Sequence, residues 1–108
     1  MPSQLASVRD RLEDLLASLE RGRHPGRAVV EETLTDGYAL ALRLDGECTR
    51  LERSIGTLAA ELDHKSGEQQ AQELSRTARR LARRKHELAA LRGLLVSLRA
   101  EAAEAKVA

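Results

Sequence analysis

The sequence predicts an all-α protein, and three observations favour that fold class. Leu, Ala, Arg, Glu and Lys make up 66 of the 108 residues, a composition typical of long helices and coiled coils. Apolar residues recur at alternating steps of three and four, the spacing of one face of a helix. Phe and Trp are absent and Tyr38 is the single aromatic residue, so a β-sandwich or β-barrel with an aromatic core is not expected.

The first helix is predicted over residues 4–21. Its apolar stripe consists of Leu5, Val8, Leu12, Leu15 and Leu19, with Leu16 beside it. Gly22 and the pair Pro25-Gly26 follow directly. Because Gly adopts left-handed dihedrals and Pro cannot continue the hydrogen-bond ladder, this segment is expected to end the helix and turn the chain.

Two longer helices are predicted over residues 28–63 and 67–105, and no proline interrupts them. The seam of the second helix comprises Val30, Leu34, Gly37, Ala41, Leu44, Cys48, Leu51, Ile55, Leu58 and Leu62. The seam of the third comprises Gln70, Leu74, Thr77, Leu81, Arg84, Leu88, Leu91, Leu95, Leu98, Ala102 and Ala105. Between them, Ser66 and Gln69 have the spacing of a capping box, which predicts a helix start there.

A short turn between long helices of matched length predicts an antiparallel coiled-coil hairpin. Folding about residue 66 places Gly37 opposite Leu95 and Leu44 opposite Leu88. The short connection after the first helix makes it antiparallel to the second, so we expect it to pack at the open end of the hairpin. The prediction is therefore a three-helix arrangement that forms a single domain over residues 1–108.

The same register makes predictions for the flanks of the seam. Glu47 would approach Glu87, which is unfavourable for two like charges, and Tyr38 would lie beside Arg92. Arg84 takes a seam position opposite Cys48, where its long side chain can extend into solvent or pair with Asp45. Two interpretations of Cys48 are open: a thiolate whose pKa is lowered by Arg84, or a small apolar seam residue.

Self-association into a larger bundle is expected, with a homodimer favoured. The part of the hairpin over residues 47–85 would be two-stranded, and isolated helix pairs of this size bury little apolar surface. Gly46 and Gly56 lie inside the predicted second helix, where each costs up to about 1 kcal/mol relative to Ala. A close approach by another helix would explain them, so they are candidate interface residues within 46–60.

A basic strip on the third helix is the candidate partner-binding surface: Arg76, Arg79, Arg80, Arg83 and Lys85. Such a strip suits an acidic protein partner or the phosphates of nucleic acid. A solvated, partly salt-bridged face is the third interpretation, because residues 28–63 carry eight acidic and three basic side chains. The net charge of only +1 and the scarcity of aromatic residues make nucleic acid the weaker alternative.

Glu61 and His64 have the Glu-x-x-His spacing found in di-iron helical bundles. Such a site needs further glutamates pointing into the bundle core, whereas Leu58 and Leu62 mark the inward face here. A helical-bundle metalloprotein is therefore the least favoured interpretation, and no cofactor, metal ligand or catalytic residue is predicted.

The sequence thus favours a non-catalytic protein–protein interaction module that acts as an adaptor, regulator or assembly element. A nucleic-acid-binding helical protein that uses residues 76–85 is the alternative. No apolar run approaches the ~18 residues of a membrane span, so a cytoplasmic protein with no membrane partner is expected. The excess of Arg over Lys, 15 against 3, suggests a bacterial origin.

Overall fold

In the residues that it describes, the computed structural model contains three helices: α1 over Gln4–Glu20, α2 over Arg27–His64 and α3 over Glu68–Val107. It describes residues 3–64 and 67–107, with side chains as far as residue 105. Within these ranges there is no strand, so the all-α fold class is confirmed. Each observed helix boundary lies within two residues of the predicted one.

Helix α1 is capped at both ends, by Ser3 at its start and by Gly22 at its end. The side chain of Ser3 accepts a hydrogen bond of 3.1 Å from the backbone N–H of Ala6, which satisfies a donor of the first turn. Gly22 has a φ of 77°, a left-handed conformation that favours glycine. The N–H groups of Gly22 and Arg23 donate to carbonyls of the last turn at 3.0 and 2.9 Å, the pattern of a Schellman motif.

The start of α3 is described only in part. The carbonyl of Gly67 accepts a hydrogen bond of 3.2 Å from the N–H of Ala71, and the helix begins at Glu68. The predicted capping box depends on Ser66, which lies outside the described residues. The turn about residue 66 therefore stays a prediction.

The chain divides into two compact units. The three-helix unit comprises Met1–Leu42 and Ala89–Ala108, and the two-helix unit comprises Arg43–Leu88. Helix α1 belongs entirely to the three-helix unit. Helices α2 and α3 are each divided, with one segment in each unit.

The three-helix unit has a well-formed core. Its buried apolar side chains come from all three helices: Val8, Leu12, Val30, Leu40, Ala41, Leu91, Leu95 and Leu98. Thr33 is also buried, and its hydroxyl donates to the carbonyl of Val29 at 2.8 Å, so its polar group is satisfied.

Gly37 marks the closest packing in this core. A Cβ added to Gly37 would lie 2.5 Å from Cδ2 of Leu95 and 3.7 Å from Cδ1 of Leu12. The predicted pairing of Gly37 with Leu95 is therefore confirmed. Because a larger residue would not fit without movement, the glycine lets the three helices approach closely.

The two-helix unit is far less buried. Among its described residues, only Leu44, Cys48 and Leu88 are buried. The remaining seam residues are half-buried: Leu51, Ile55, Leu58, Leu62, Gln70, Leu74, Thr77, Leu81 and Arg84. Over 49–64, every residue outside the seam is exposed, so the alternation of three and four in the sequence reappears as an alternation in burial.

Candidate partner-binding surface

Most of the predicted basic strip lines a groove on the surface of the two-helix unit. The groove has a volume of 490 Å³ and is lined by Arg76, Arg79, Arg80, Arg83, Arg84 and Glu87. We call it the arginine groove. Its side chains share one side of α3 because residues spaced three and four apart are neighbours on a helix. The geometry gathers five guanidinium groups along one helix.

Three cations at or near the groove form salt bridges with two carboxylates of α2. Oε1 of Glu47 lies 3.6 Å from Nη2 of Arg80 and 3.0 Å from Nε of Arg84. Lys85 is a member of the predicted strip that does not line the groove, and its Nζ lies 3.3 Å from Oε1 of Glu52. Part of the basic strip is therefore a salt-bridged face, as one of the three interpretations holds.

The other three arginines of the groove form no salt bridge with the described residues. Within residues 3–64 and 67–105, no carboxylate oxygen lies within 4 Å of a guanidinium nitrogen of Arg76, Arg79 or Arg83. All three side chains are exposed, and Nε of Arg79 donates only to the carbonyl of Ser75 at 3.4 Å. These guanidinium groups keep free donors for an external anion.

Arg84 resolves the expected repulsion between Glu47 and Glu87. Its Nε donates to Glu47 at 3.0 Å and its Nη1 donates to Glu87 at 3.1 Å, so one guanidinium bridges both carboxylates. Burial alone would lower the pKa of Arg84, but the two carboxylates outweigh it and raise the pKa above its ordinary value. Arg84 is thus a structural cation, and sequence reasoning did not identify this bridge.

The hypothesis of a reactive thiolate at Cys48 is wrong. The side chain is buried, and this burial is the main cause that raises the pKa of the thiol. Asp45 and Glu52 raise it further, whereas Lys85 acts in the opposite direction without reversing the shift. Arg84 is engaged with two carboxylates and does not activate the thiol, so Cys48 serves as a small buried residue of the seam.

The two candidate interface glycines have open surroundings. A Cβ at Gly46 would lie 3.7 Å from Nη1 of Arg50, and a Cβ at Gly56 would meet no atom of the described residues within 4 Å beyond the adjacent backbone of its own helix. Gly56 also lines an open groove of 840 Å³ together with Arg53 and His64. Packing among the described residues therefore does not explain either glycine, and their role in an interface stays a prediction.

Glu61 and His64 are both exposed near the end of α2. In the described part of the chain, no group of three or more His, Cys, Asp or Glu side chains is placed to hold a metal ion. The structure thus brings no further ligand to this pair.

On the remaining flank, the hydroxyl of Tyr38 accepts a hydrogen bond of 3.2 Å from Nη1 of Arg99. The guanidinium carbon of Arg99 lies 5.9 Å from the ring centroid. The observed partner is thus two helical turns beyond Arg92, the neighbour that the register predicts.

Within the described ranges, none of the helices combines the length and the apolar character needed to cross a membrane. No protein-family model matches the chain, and comparisons with curated proteins and with solved structures return no match.

Proposed function

We propose that this protein is a non-catalytic protein–protein interaction module, an adaptor, regulator or assembly element that binds an acidic partner in the arginine groove. One observation carries the proposal. Arg76, Arg79 and Arg83 are exposed and lie together, and none has a carboxylate partner among the described residues. The guanidinium fork matches a carboxylate in two parallel hydrogen bonds, so an acidic protein surface is its natural complement.

The energetics of α3 support this proposal. Like charges three or four residues apart destabilise a helix by roughly 0.2–0.5 kcal/mol per pair, and the groove contains several such pairs. Arg76 lies three and four residues from Arg79 and Arg80, and Arg79 lies four residues from Arg83. Glu47 offsets this repulsion only at Arg80 and Arg84. An acidic partner would relieve the rest.

We further propose that α2 and α3 form an antiparallel coiled-coil hairpin that self-associates, most simply as a homodimer. The periodic burial over 49–64 supports the coiled coil, because the predicted seam residues are half-buried there and all other residues are exposed. The half-exposed leucines of the two-helix unit support self-association, because a second copy could cover them. A cytoplasmic location and a bacterial origin stay predictions from the sequence.

The proposal is tested by reversing the unpaired charges alone. In the variant Arg76→Glu, Arg79→Glu, Arg83→Glu, the salt bridges of Arg80, Arg84 and Lys85 are left intact. Proteins retained by the wild type in a pull-down should be lost. The matched control reverses three exposed arginines that lie outside the groove and outside 46–60, namely Arg21, Arg23 and Arg43, and should retain them.

Circular dichroism of both variants checks that the helices are preserved. Retention of every partner by the first variant, or equal loss from both, would contradict the proposal.

Nucleic-acid binding is the alternative that the same groove permits. It is second because the net charge of the chain is only +1 and because the one aromatic residue, Tyr38, belongs to the other unit, so the groove offers no ring for stacking on bases. It predicts a complex with duplex DNA or RNA whose affinity falls steeply with salt. A gel-shift experiment at low and moderate salt that shows no complex would exclude it.

A further inference from the structure

Helix α1 presents an acidic face whose charges are mostly unpaired. Asp10, Glu13, Asp14 and Glu20 are all exposed, whereas Val8 and Leu12 on the opposite side are buried. Oε1 of Glu13 lies 3.8 Å from Nη2 of Arg9. For the other three carboxylates, the described residues supply no cation within 4 Å.

The basic residues of α1 neutralise only Glu13 of this face. Nη2 of Arg11 is held by Oδ2 of Asp36 at 2.7 Å, which fixes α1 against α2 within the three-helix unit. Arg9 is engaged with Glu13. The outward side of α1 therefore carries a local excess of negative charge although the whole chain is nearly neutral.

The acidic face and the arginine groove have matching spacings. Asp10 and Asp14 are four residues apart, as are Arg79 and Arg83, so each pair spans about 6 Å along its helix axis. Both surfaces lie on helices and are exposed. Among the described residues, neither the aspartate pair nor the arginine pair has an oppositely charged partner within 4 Å. Two helices laid side by side can therefore align carboxylates with guanidinium groups in register.

We propose that the acidic face of α1 in one copy of this protein docks into the arginine groove of a second copy. This inference rests on the proposed function of the groove and names its occupant. In a homodimer the contact occurs twice, because each copy contributes one acidic face and one groove. A second copy satisfies the charges of both surfaces, whereas an unrelated acidic protein would satisfy the groove alone.

The test uses two charge-reversed variants of the full chain. The acid-reversed variant carries Asp10→Lys and Asp14→Lys, and the groove-reversed variant carries Arg79→Glu and Arg83→Glu. Each variant alone places like charges at both contacts, so self-association should weaken by about tenfold or more. In an equimolar mixture, each contact again joins opposite charges, and association should return.

Sedimentation equilibrium of the wild type, each variant and the mixture, at low and at high salt, measures these dissociation constants. Salt should weaken the wild-type and mixed assemblies, because screening reduces attraction between exposed charges. Matched controls are Glu32→Lys with Glu104→Lys, and Arg23→Glu with Arg43→Glu. These also reverse exposed charges and should leave the dissociation constant within about threefold of the wild type.

A wild type that stays monomeric, reversed variants that associate normally, or a mixture that does not recover would each overturn this inference. Its failure is distinguishable from failure of the proposed function. If self-association does not depend on the groove while the pull-down still loses partners on reversal of Arg76, Arg79 and Arg83, the groove takes a foreign acidic protein. Circular dichroism of each variant separates loss of contact from loss of helix.

Discussion

The two units of this protein follow one sequence pattern with very different burial. In the three-helix unit, the seam residues Leu91, Leu95 and Leu98 are 0%, 1% and 0% exposed. In the two-helix unit, Leu58 and Leu81 take equivalent seam positions and are only half-buried. The periodic pattern determines which face of a helix turns inward, whereas the number of helices around that face determines how deeply it is buried.

This difference in burial separates the side chains that stabilise the fold from those that are available for binding. The three-helix unit contains most of the buried apolar side chains, which supply most of the free energy of folding. The two-helix unit carries the arginine groove and the open glycines, and few of its residues are buried. We therefore expect substitutions in the apolar core of the first unit to affect stability most, and substitutions in the arginine groove of the second unit to affect association.

The largest expected effect is on the leucine seam. Leu95→Ala removes a fully enclosed side chain and should lower the free energy of unfolding by about 3 kcal/mol. Leu58→Ala removes a half-exposed one and should cost about 1 kcal/mol, because less surface is lost from the interior. Urea unfolding followed by circular dichroism measures both. Equal costs would mean that the two units are buried alike in solution.

Glycine-to-alanine substitutions should have opposite signs in the two units. At Gly37, the new Cβ would press against the enclosed side chain of Leu95, and the resulting overpacking should destabilise the protein by about 1–2 kcal/mol. At Gly56, the Cβ would meet no side chain of the described residues within 4 Å, so the gain in helix propensity should stabilise the protein by up to about 1 kcal/mol. Thermal unfolding of the two variants measures the difference. Stabilisation by Gly37→Ala would contradict the packing described here.

The smallest expected effect is a pH dependence from Cys48 in the two-helix unit. Burial raises the pKa of this thiol in the folded state, so the neutral form favours folding. Its contribution is complete below the unfolded thiol pKa of about 8.5 and is lost as the pH rises through the folded pKa. Wild-type stability should therefore fall more between pH 7 and alkaline pH than that of Cys48→Ala. Identical pH profiles from urea unfolding would exclude this linkage.

The helices and their inward faces could be predicted from the sequence because they depend on backbone periodicity and on capping residues. Every predicted seam residue of α2 and α3 is buried or half-buried. The pairing of Gly37 with Leu95 also followed from the register, since a residue without a side chain must face a large one in a dense core. The turn at residue 66, the pairing of Leu44 with Leu88 and the coiled-coil character of the hairpin stay predictions.

The charged flanks were less predictable. Long side chains can reach across a turn, so sequence spacing alone does not select among neighbouring carboxylates. Arg84 therefore bridges Glu47 and Glu87, which the register had placed in repulsion, and Tyr38 bonds to Arg99. For the same reason, the sequence revealed the basic strip but not which of its members are neutralised. That distinction required the structure, and it reduces the candidate site to Arg76, Arg79 and Arg83.

Amide hydrogen exchange at residue resolution, at a protein concentration low enough for the monomer, tests the contrast between the units most directly. Amides at 30–41 and 91–98 should show the greatest protection, because exposing them requires breaking the three-helix core. Those at 51–62 and 70–81 should exchange much faster through local opening and become more protected as concentration rises. Uniform protection along α2 and α3 in the dilute sample would contradict this account.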